Sequence, residues 1–553
     1  MRRTTRALGV LLLGWLLAPA IPAAAQEPAP QTGPTSPDRP VLELSLDEAV
    51  KRAFEGNADI LVEQYNPKIS AEDVRGAQGF YDPLLFGTVS RNSSDSKSSN
   101  FFSGAPAVEQ DTNVWNFGVN QEVPTGGLFT LSFNNNKQTT NNVFQTFNPA
   151  FNSTFSVGLT QPLLKNFLID PARAQIRVAK KNREISDLQF KQTVTVVLAN
   201  TKQLYYDLIF AIDNLQANRK NLALAQKLLN ENEIRVKVGT MAPLDVVSAQ
   251  SEVASREEGV IVAENQLYQA EDALKQVIFT RNPDTWATRI LPTDRPTAEP
   301  VPVDIEAAVR NAFENRTDVV GGRKLLERSD INVKLAKNQT LPQVDLFGSY
   351  GGAGLGGTQI IRDPPGTGPI VEIVPGGYGD AVSEAFGFDF PTWRVGVQFS
   401  YAIPNRSARA ASAQARLSRD QAQAAYDRLL LNAAVEVRIA GRAVETNIKR
   451  VGSTRAARTL AAQRLDAEEK KFAAGMSTNF LVTQAQRDLA LAEVNELRAV
   501  ADYRKSVIVF ERAQEAGLGP VVSTLAAGGI TSSTFATGNV NANSATGTGS
   551  PNP

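Results

Sequence analysis

Lys237-Val238-Gly239-Thr240-Met241-Ala242-Pro243-Leu244-Asp245 and Lys471-Phe472-Ala473-Ala474-Gly475-Met476-Ser477-Thr478-Asn479 are two versions of one event. Each breaks a very long helical pattern with a single glycine and then restarts it. Neither proline nor glycine occurs from Ala172 to Val238, and no proline from Asn405 to Gly519. A helix of roughly 65 residues rising ~1.5 Å per residue is about 100 Å long, far beyond the ~11-residue average. Each stretch therefore reads as the turn of a helical hairpin that reaches out and comes back. Pro243 suits the first turn of a returning helix, and Ser477 is a candidate cap for the other.

Working outward, the two glycines prove to belong to a duplication. Ser45-Leu46-Asp47-Glu48-Ala49-Val50-Lys51-Arg52-Ala53-Phe54-Glu55 recurs as Asp304-Ile305-Glu306-Ala307-Ala308-Val309-Arg310-Asn311-Ala312-Phe313-Glu314. The chain divides into a first repeat at 41–280 and a second at 304–518, joined by a linker at 281–303 that is Pro-rich from Leu291 onward. Each half reads helix, strands, long helix, turn, return helix, with the hairpins at 171–280 and 405–516.

The strand segments alternate with a two-residue period. In the first half they are Pro83–Arg91, Asn113–Val123, Leu128–Asn136 and Phe151–Pro162; in the second, Pro342–Tyr350 and Thr392–Ala402. Most have the ~9–11 residues of a tilted strand that crosses a membrane. Trp115, Phe117, Phe129, Phe133, Trp393, Phe399 and Tyr401 are candidates for the aromatic girdles of a barrel; an ordinary sandwich core is the plainer alternative. Ser93–Gln110, Asn134–Ala150 and Gly351–Pro391, rich in Asn, Ser and Gly, read as long external loops.

The helices carry a coiled-coil seam. Val197, Thr201, Leu204, Leu208, Ala211, Leu215, Asn218, Leu222, Ala225 and Leu229 step by four and three, as do Val260, Ala263, Leu267, Ala270, Leu274 and Val277 on the return. Leu430, Ala433, Val437, Ala440 and Val444 repeat the pattern in the second half. A free filament would show the same seam, but not the intervening strands.

The ends and the composition add constraints. Arg2, Arg3 and Arg6, the apolar run Leu8 to Leu17 and Ala23-Ala24-Ala25 make residues 1–25 a secretory signal. The run is shorter than the ~20 residues of a spanning helix. Residues 26–40 read as a flexible terminus and 519–553 as a disordered tail. Lys plus Arg and Asp plus Glu each total 57, which speaks against a nucleic-acid partner. Without any Cys or His, thiol chemistry, the usual zinc sites and His-based triads are excluded. No carboxylate pair stands out and no GxxxxGK[ST] loop occurs, so no catalytic, cofactor or metal residue is assigned. The run Gly351 to Gly357 reads as loop, not phosphate site, and Met241 and Met476 as apolar contact points for a partner, not Cu(I) ligands.

Taken together, the arrangement resembles the outer-membrane efflux protein family, the TolC-like channel-tunnels. The resemblance rests on Gly158-Leu159-Thr160-Gln161-Pro162-Leu163 before the first long helix, on the Val238-Gly239 and Phe472-Ala473-Ala474-Gly475 turns, and on Leu481-Val482-Thr483-Gln484-Ala485-Gln486. It covers about 41–518. It implies a homotrimer whose strands form one outer-membrane β-barrel continuous with a periplasmic α-helical barrel. It also implies a passive exit duct joined to a periplasmic adaptor and an inner-membrane transporter, in tripartite efflux or type I secretion. A non-conducting structural or adhesive envelope protein is the alternative. Gly239, Thr240, Met241, Gly475, Met476 and Ser477 are the expected adaptor-docking turns. The family's gate positions fall on Asp245, Phe472, Leu481 and Gln484; the acidic, tyrosine and arginine positions are here uncharged Leu481 and Gln484, Phe472 and Ser477. An apolar closure by Phe472, Phe480 and Leu481 is therefore expected, unless Asp488 supplies an acidic ring. Two strands between the first-half helices would match the family; four are visible, which predicts an extra hairpin that either widens the barrel beyond the family's twelve strands or lies outside the membrane.

Overall fold

The computed structural model describes residues 40–98, 106–279, 286–365 and 368–515. The signal at 1–25, the terminus up to residue 39 and the tail at 519–553 lie outside the described residues. The chain opens with β1 (Val41–Leu44), α1 (Leu46–Gly56), α2 (Ala58–Glu63), α3 (Tyr65–Gln78) and a 3-10 turn at Gly79–Tyr81. Four strands follow: β2 (Leu84–Lys97), β3 (Ala107–Glu122), β4 (Leu128–Thr140) and β5 (Phe147–Pro162). Next come the long α4 (Pro171–Lys237), its return α5 (Pro243–Ile278) and β6 (Arg289–Pro292). The second half runs α6 (Ile305–Asn315), α7 (Thr317–Asn338), β7 (Gln343–Arg362), β8 (Ile370–Val374), α8 (Tyr378–Gly387), β9 (Phe390–Ser400), α9 (Arg406–Ala473) and α10 (Asn479–Gln514).

Helix starts are set by local chemistry. The Ser45 side chain accepts from the Glu48 amide at α1, Asp304 from Ala307 at α6, and Asp170 from Arg173 at α4, whose first residue is Pro171. These contacts satisfy amides that a helix N-terminus leaves open. With 67 and 68 residues, α4 and α9 are each about 100 Å long, whereas α5 and α10, at 36 residues, return about half that distance. Shorter helices cover the rest: α3 packs on α4, and α7 lies against both α4 and α9. Lys181 and Lys324 both pair with Glu184 and Glu327 across the α4–α7 contact, and Arg419 pairs with Asp330 across α7–α9.

The seam residues Val197, Thr201, Leu208, Ala211, Leu215 and Ala225 are buried, as are Ala433, Val437, Ala440 and Val444. Two cores form where helices, linker and β1–β6 meet. One joins Leu44, Val50, Leu198, Tyr205, Leu208, Leu274 and Ile290; the other Val309, Val437, Val444, Tyr503 and Phe510. Two buried tyrosines fix the linker to these cores. The Tyr205 hydroxyl lies 2.9 Å from Leu44 O and 3.0 Å from Asp294 Oδ2, and burial pushes its pKa up to about 12. The Val301 amide donates to Tyr503 Oη at 3.1 Å, and that hydroxyl donates to Glu299 O.

The large sheet runs β2-β3-β4-β5-β7, with β8 and β9 both paired to β7. β9 takes Gln343 to Ala353 of β7 and β8 takes Gln359 to Arg362. Because β5 already occupies Asp345 to Gln359 on one edge, β8 and β9 share the other edge as one interrupted sixth lane. The ladders place Leu85, Val89, Trp115, Phe117, Phe133, Phe155, Val395 and Phe399 on one face, and Thr88, Asn116, Ser132, Ser156, Arg394 and Gln398 on the other. All four first-half strands belong to this single sheet, as the visible extra hairpin predicts.

The expected external loops are largely not loops. β2 continues to Lys97, β3 starts at Ala107, β4 runs to Thr140 and β7 to Arg362. Gly351–Pro391 holds the end of β7, then β8 and α8. The glycine run itself is strand, and α8 lies on it: a Cβ at Gly352, Gly354 or Gly356 would fall closer than 3.0 Å to the backbone oxygen of Ala385, Ala381 or Gly377. Glycine there permits close approach of two backbones. The Trp115 indole donates to Tyr378 Oη at 3.2 Å, that hydroxyl donates to the buried Asn135 Oδ1 at 3.0 Å, and Phe386 lies against Phe133 and Phe155. Trp115 and Phe133 are thus covered by α8 rather than bare.

Candidate functional site

The two interrupting glycines make identical turns. Gly239 has φ +77° and Gly475 φ +75°. The Gly239 amide bonds to Val236 O and the Thr240 amide to Arg235 O; the Gly475 amide bonds to Phe472 O and the Met476 amide to Lys471 O. This double closure is the Schellman motif, and it needs a left-handed residue at the glycine position. Pro243 then starts α5, and Thr478 caps α10 by accepting from the Leu481 amide. The cap is Thr478, one residue beyond the expected Ser477, which instead donates to Glu468 Oε2 at 2.8 Å. Hydrogen bonds from Lys471 and Ser477 hold the Glu468 carboxyl below its usual range.

Gly239, Thr240, Gly475 and Met476 are exposed, and Ser477 is half-buried. Met241, an expected apolar contact point for a partner, also has contacts within the chain. It is half-buried and packs on the cluster of Leu228, Leu465, Phe472, Val482, Ala485 and Leu489, which joins the two hairpins at their tip.

The expected apolar closure does not assemble in one chain. Phe472 is buried in that cluster, Leu481 is 40% exposed and Phe480 70% exposed. Phe472 is covered by the Arg235 guanidinium, 4.2 Å above its ring, and Arg235 also donates to Phe472 O at 3.5 Å. Asp245 takes part through its backbone: Asn479 Nδ2 donates to Asp245 O at 3.4 Å, while Asn232 Nδ2 donates to Asn479 Oδ1 at 2.9 Å. Buried Asn479 thus joins the ends of α4, α5 and α10. Gln484 donates to Asp488 Oδ1 at 3.0 Å, and Arg464 pairs with Asp488 Oδ2 at 2.8 Å.

One ionic tie was not foreseen. Glu252 on α5, only 5% exposed, takes Arg256 on one oxygen and Arg487 of α10 on the other. Burial pushes its carboxyl up, but the two arginines outweigh this and hold it below the usual carboxylate range. Asn232 could have been flagged as a polar residue inside an apolar seam. Nothing in the sequence joins Glu252 to Arg487.

A Cβ at Gly239 or Gly475 would meet nothing within 4 Å, so only the backbone opposes substitution. Gly239→Val or Gly475→Val should cost about 1–2 kcal/mol at that turn. Faster hydrogen exchange at the Thr240 or Met476 amide checks this, with exchange elsewhere unchanged.

A sheet with one apolar face thus runs on into two helical hairpins whose long arms are each about 100 Å. The chain belongs to the outer membrane efflux protein family: the family described as "Outer membrane efflux protein" matches residues 128–278 and 308–514. Among curated relatives, it is 25% identical over 172 residues to the outer membrane protein TolC of Vibrio cholerae serotype O1. It is 23% identical over 178 residues to the TolC of Escherichia coli. These matches span 39% and 35% of the relatives' length, and 31% and 32% of this chain. Among solved structures, the outer-membrane channel OprN has a TM-score of 0.61 at 16% identity, covering 86% of this chain and 90% of its own. The CmeC outer membrane channel of Campylobacter jejuni gives 0.61 at 16%, covering 87% and 88%. The chain is thus an outer-membrane protein with its helical part in the periplasm, of a family of channels rather than enzymes.

Proposed function

We propose that this chain is the exit duct of a tripartite efflux or type I secretion system: a homotrimer, passive, fed by an inner-membrane transporter through a periplasmic adaptor. The carrying observation is the direct continuation of β5 and β9 into α4 and α9 within one chain. Outside the patch that α8 covers, the apolar face of the sheet meets outer-membrane lipid, and the helices carry the conduit through the periplasm. The duplicated sequence supplies two hairpins per copy to the helical wall. The docking end is the tip, where Gly239, Thr240, Gly475 and Met476 are exposed beside Leu244 and Phe480, with Met241 and Ser477 behind them. The purified protein should give a steady single-channel conductance in planar bilayers, and its deletion should raise sensitivity to exported compounds. A chain that sits in the outer membrane yet conducts nothing is the adhesive or structural alternative. Gly239→Val and Gly475→Val should lose export while trimers remain; unchanged sensitivity removes the docking role.

The gate reading gives a separate expectation. Leu481 and Gln484 bring no charge, and Asp488 is paired to Arg464, so the positions of the family's acidic ring carry no free carboxylate to attract cations. Closure then rests on apolar narrowing around Leu481, next to Phe472 and the Asp245 turn. Trivalent cations on the periplasmic side should block weakly. Strong block that disappears in Asp488→Asn would show that the acid governs the mouth after all.

A further inference from the structure

The sheet ends in two open edges. Among the described residues, β2 is paired only to β3 and β9 only to β7. In lipid, the N–H and C=O groups along such edges have no solvent partner. Their apolar side chains are among the barest of the sheet: Leu85 75%, Val89 78%, Trp393 75%, Val395 68% and Phe399 68% exposed. Each edge lacks one neighbouring strand.

We propose that β2 of one copy pairs antiparallel with β9 of the next, with Leu84 opposite Ser400 and Ser94 opposite Phe390, so that three copies close an eighteen-stranded barrel. This rests on the trimeric duct reading above and adds the seam, its register and the barrel width.

The register follows from the ladders. The row that starts at Leu84 crosses Asn120, Thr130, Gly158 and Ser349 and reaches β9 at Arg394. β9 then continues six residues further, to Ser400. The lower margin of the sheet therefore steps down by six residues across six lanes. If the next β2 begins level with Ser400, each copy adds the same step. Strand number, stagger and tilt are linked in a closed barrel. Equal stagger and strand number, at ~3.3 Å per residue and ~4.8 Å between strands, give a tilt of about 35°, inside the range of roughly 35–45° for membrane barrels.

Side-chain parity agrees. The proposed pairing sets Leu85 against Phe399, Val89 against Val395 and Arg91 against Trp393 on the lipid face, and Ser90 against Arg394 on the other. A slip of one residue would oppose apolar and polar faces along the whole seam. Length agrees too: the 11 residues of β9 fit within the 14 of β2.

The chain contains no cysteine, so the seam can be tested by cross-linking in the outer membrane. Directly opposite residues of antiparallel strands have Cα atoms about 4.5–5.5 Å apart, within disulfide reach. The double variant Val89→Cys, Val395→Cys should give a reducible ladder up to three copies on oxidation. Leu85→Cys, Phe399→Cys should do the same, so one poorly inserting pair leaves the test intact. Single variants should stay uncoupled, and Val89→Cys, Val397→Cys, offset by two residues, should couple poorly. Offset coupling as strong as the direct pairs overturns the register, as does a trimer of native size in which neither direct pair couples; both leave the duct reading standing. A protein that extracts as single copies and forms no ladder removes the trimer as well.

Discussion

Gly354→Val is expected to strip α8 from the sheet. The Cβ at Gly354 would meet Ala381 O closer than 3.0 Å, with Ala385 N also inside that distance. Both are backbone atoms, so no rotamer change relieves the clash, and α8 must move as a body. Moving it uncouples the Tyr378 hydroxyl from Asn135 and Trp115, and lifts Phe386 from Phe133 and Phe155. A ten-residue helix without tertiary contacts is not stable in water, so loss of the dock becomes loss of the helix. Asn135, 1% exposed beneath it, would lose its hydroxyl partner, which opposes any half-docked state. Gly348→Ala is the control: it lies in the same strand, with the nearest atoms at 4.0 Å. Hydrogen exchange over residues 378–387 should rise to that of an unstructured segment in Gly354→Val and stay unchanged in Gly348→Ala. Retained protection in Gly354→Val would mean that α8 is held by something other than the glycine track.

What the sequence revealed, and what it hid, follows the range of the forces involved. The hairpins were legible because a missing proline and a lone glycine act locally: the Schellman turns form at the two quoted stretches, and Pro243 starts α5. The strands were legible only where one face is apolar. Beyond Arg91 and Asn136, both faces are polar, the two-residue period vanishes and the strands run on unseen to Lys97 and Thr140. The glycines of β7 read as loop because composition cannot tell a flexible glycine from one that admits a neighbouring backbone. Their neighbour α8 is short and small-residue-rich, with only Ala381 and Ala385 fully buried. At the tip, Phe472 is expected to pack with Phe480 and Leu481, but its buried surroundings are others. Its ring is enclosed by residues of α4, α9 and α10, and its cover, Arg235, lies 237 residues away in sequence.

Glu252→Ala is expected to loosen the tip, and acid should imitate it in the wild type. Among the described residues, Glu252–Arg487 is the one ion pair that joins α5 to α10. Removing a partner from a fully buried pair costs about 3–5 kcal/mol. Here Arg487 is 54% and Arg256 20% exposed, so both can rehydrate, and a loss of about 1–2 kcal/mol is the fitting estimate after that discount. At ~1.4 kcal/mol per factor of ten, local opening of the tip should become roughly tenfold more frequent. Exchange at the first turns of α10, around Leu481 and Gln484, reports it directly; in the duct reading, resting conductance rises as well. The sign with pH is fixed by the lowered carboxyl. A depressed folded pKa means the stabilisation is complete above the ordinary glutamate value of about 4.3 and is lost as pH falls through the lower folded value. The tie is therefore whole at neutral pH and at pH ~5, and fails only in stronger acid. Glu252→Gln should resemble the acid state at every pH, and Arg487→Ala should add little to Glu252→Ala, because both remove the same contact. Fully additive effects of the two substitutions, or a wild type that loosens already at pH ~6, would show that this pair does not hold the hairpins together.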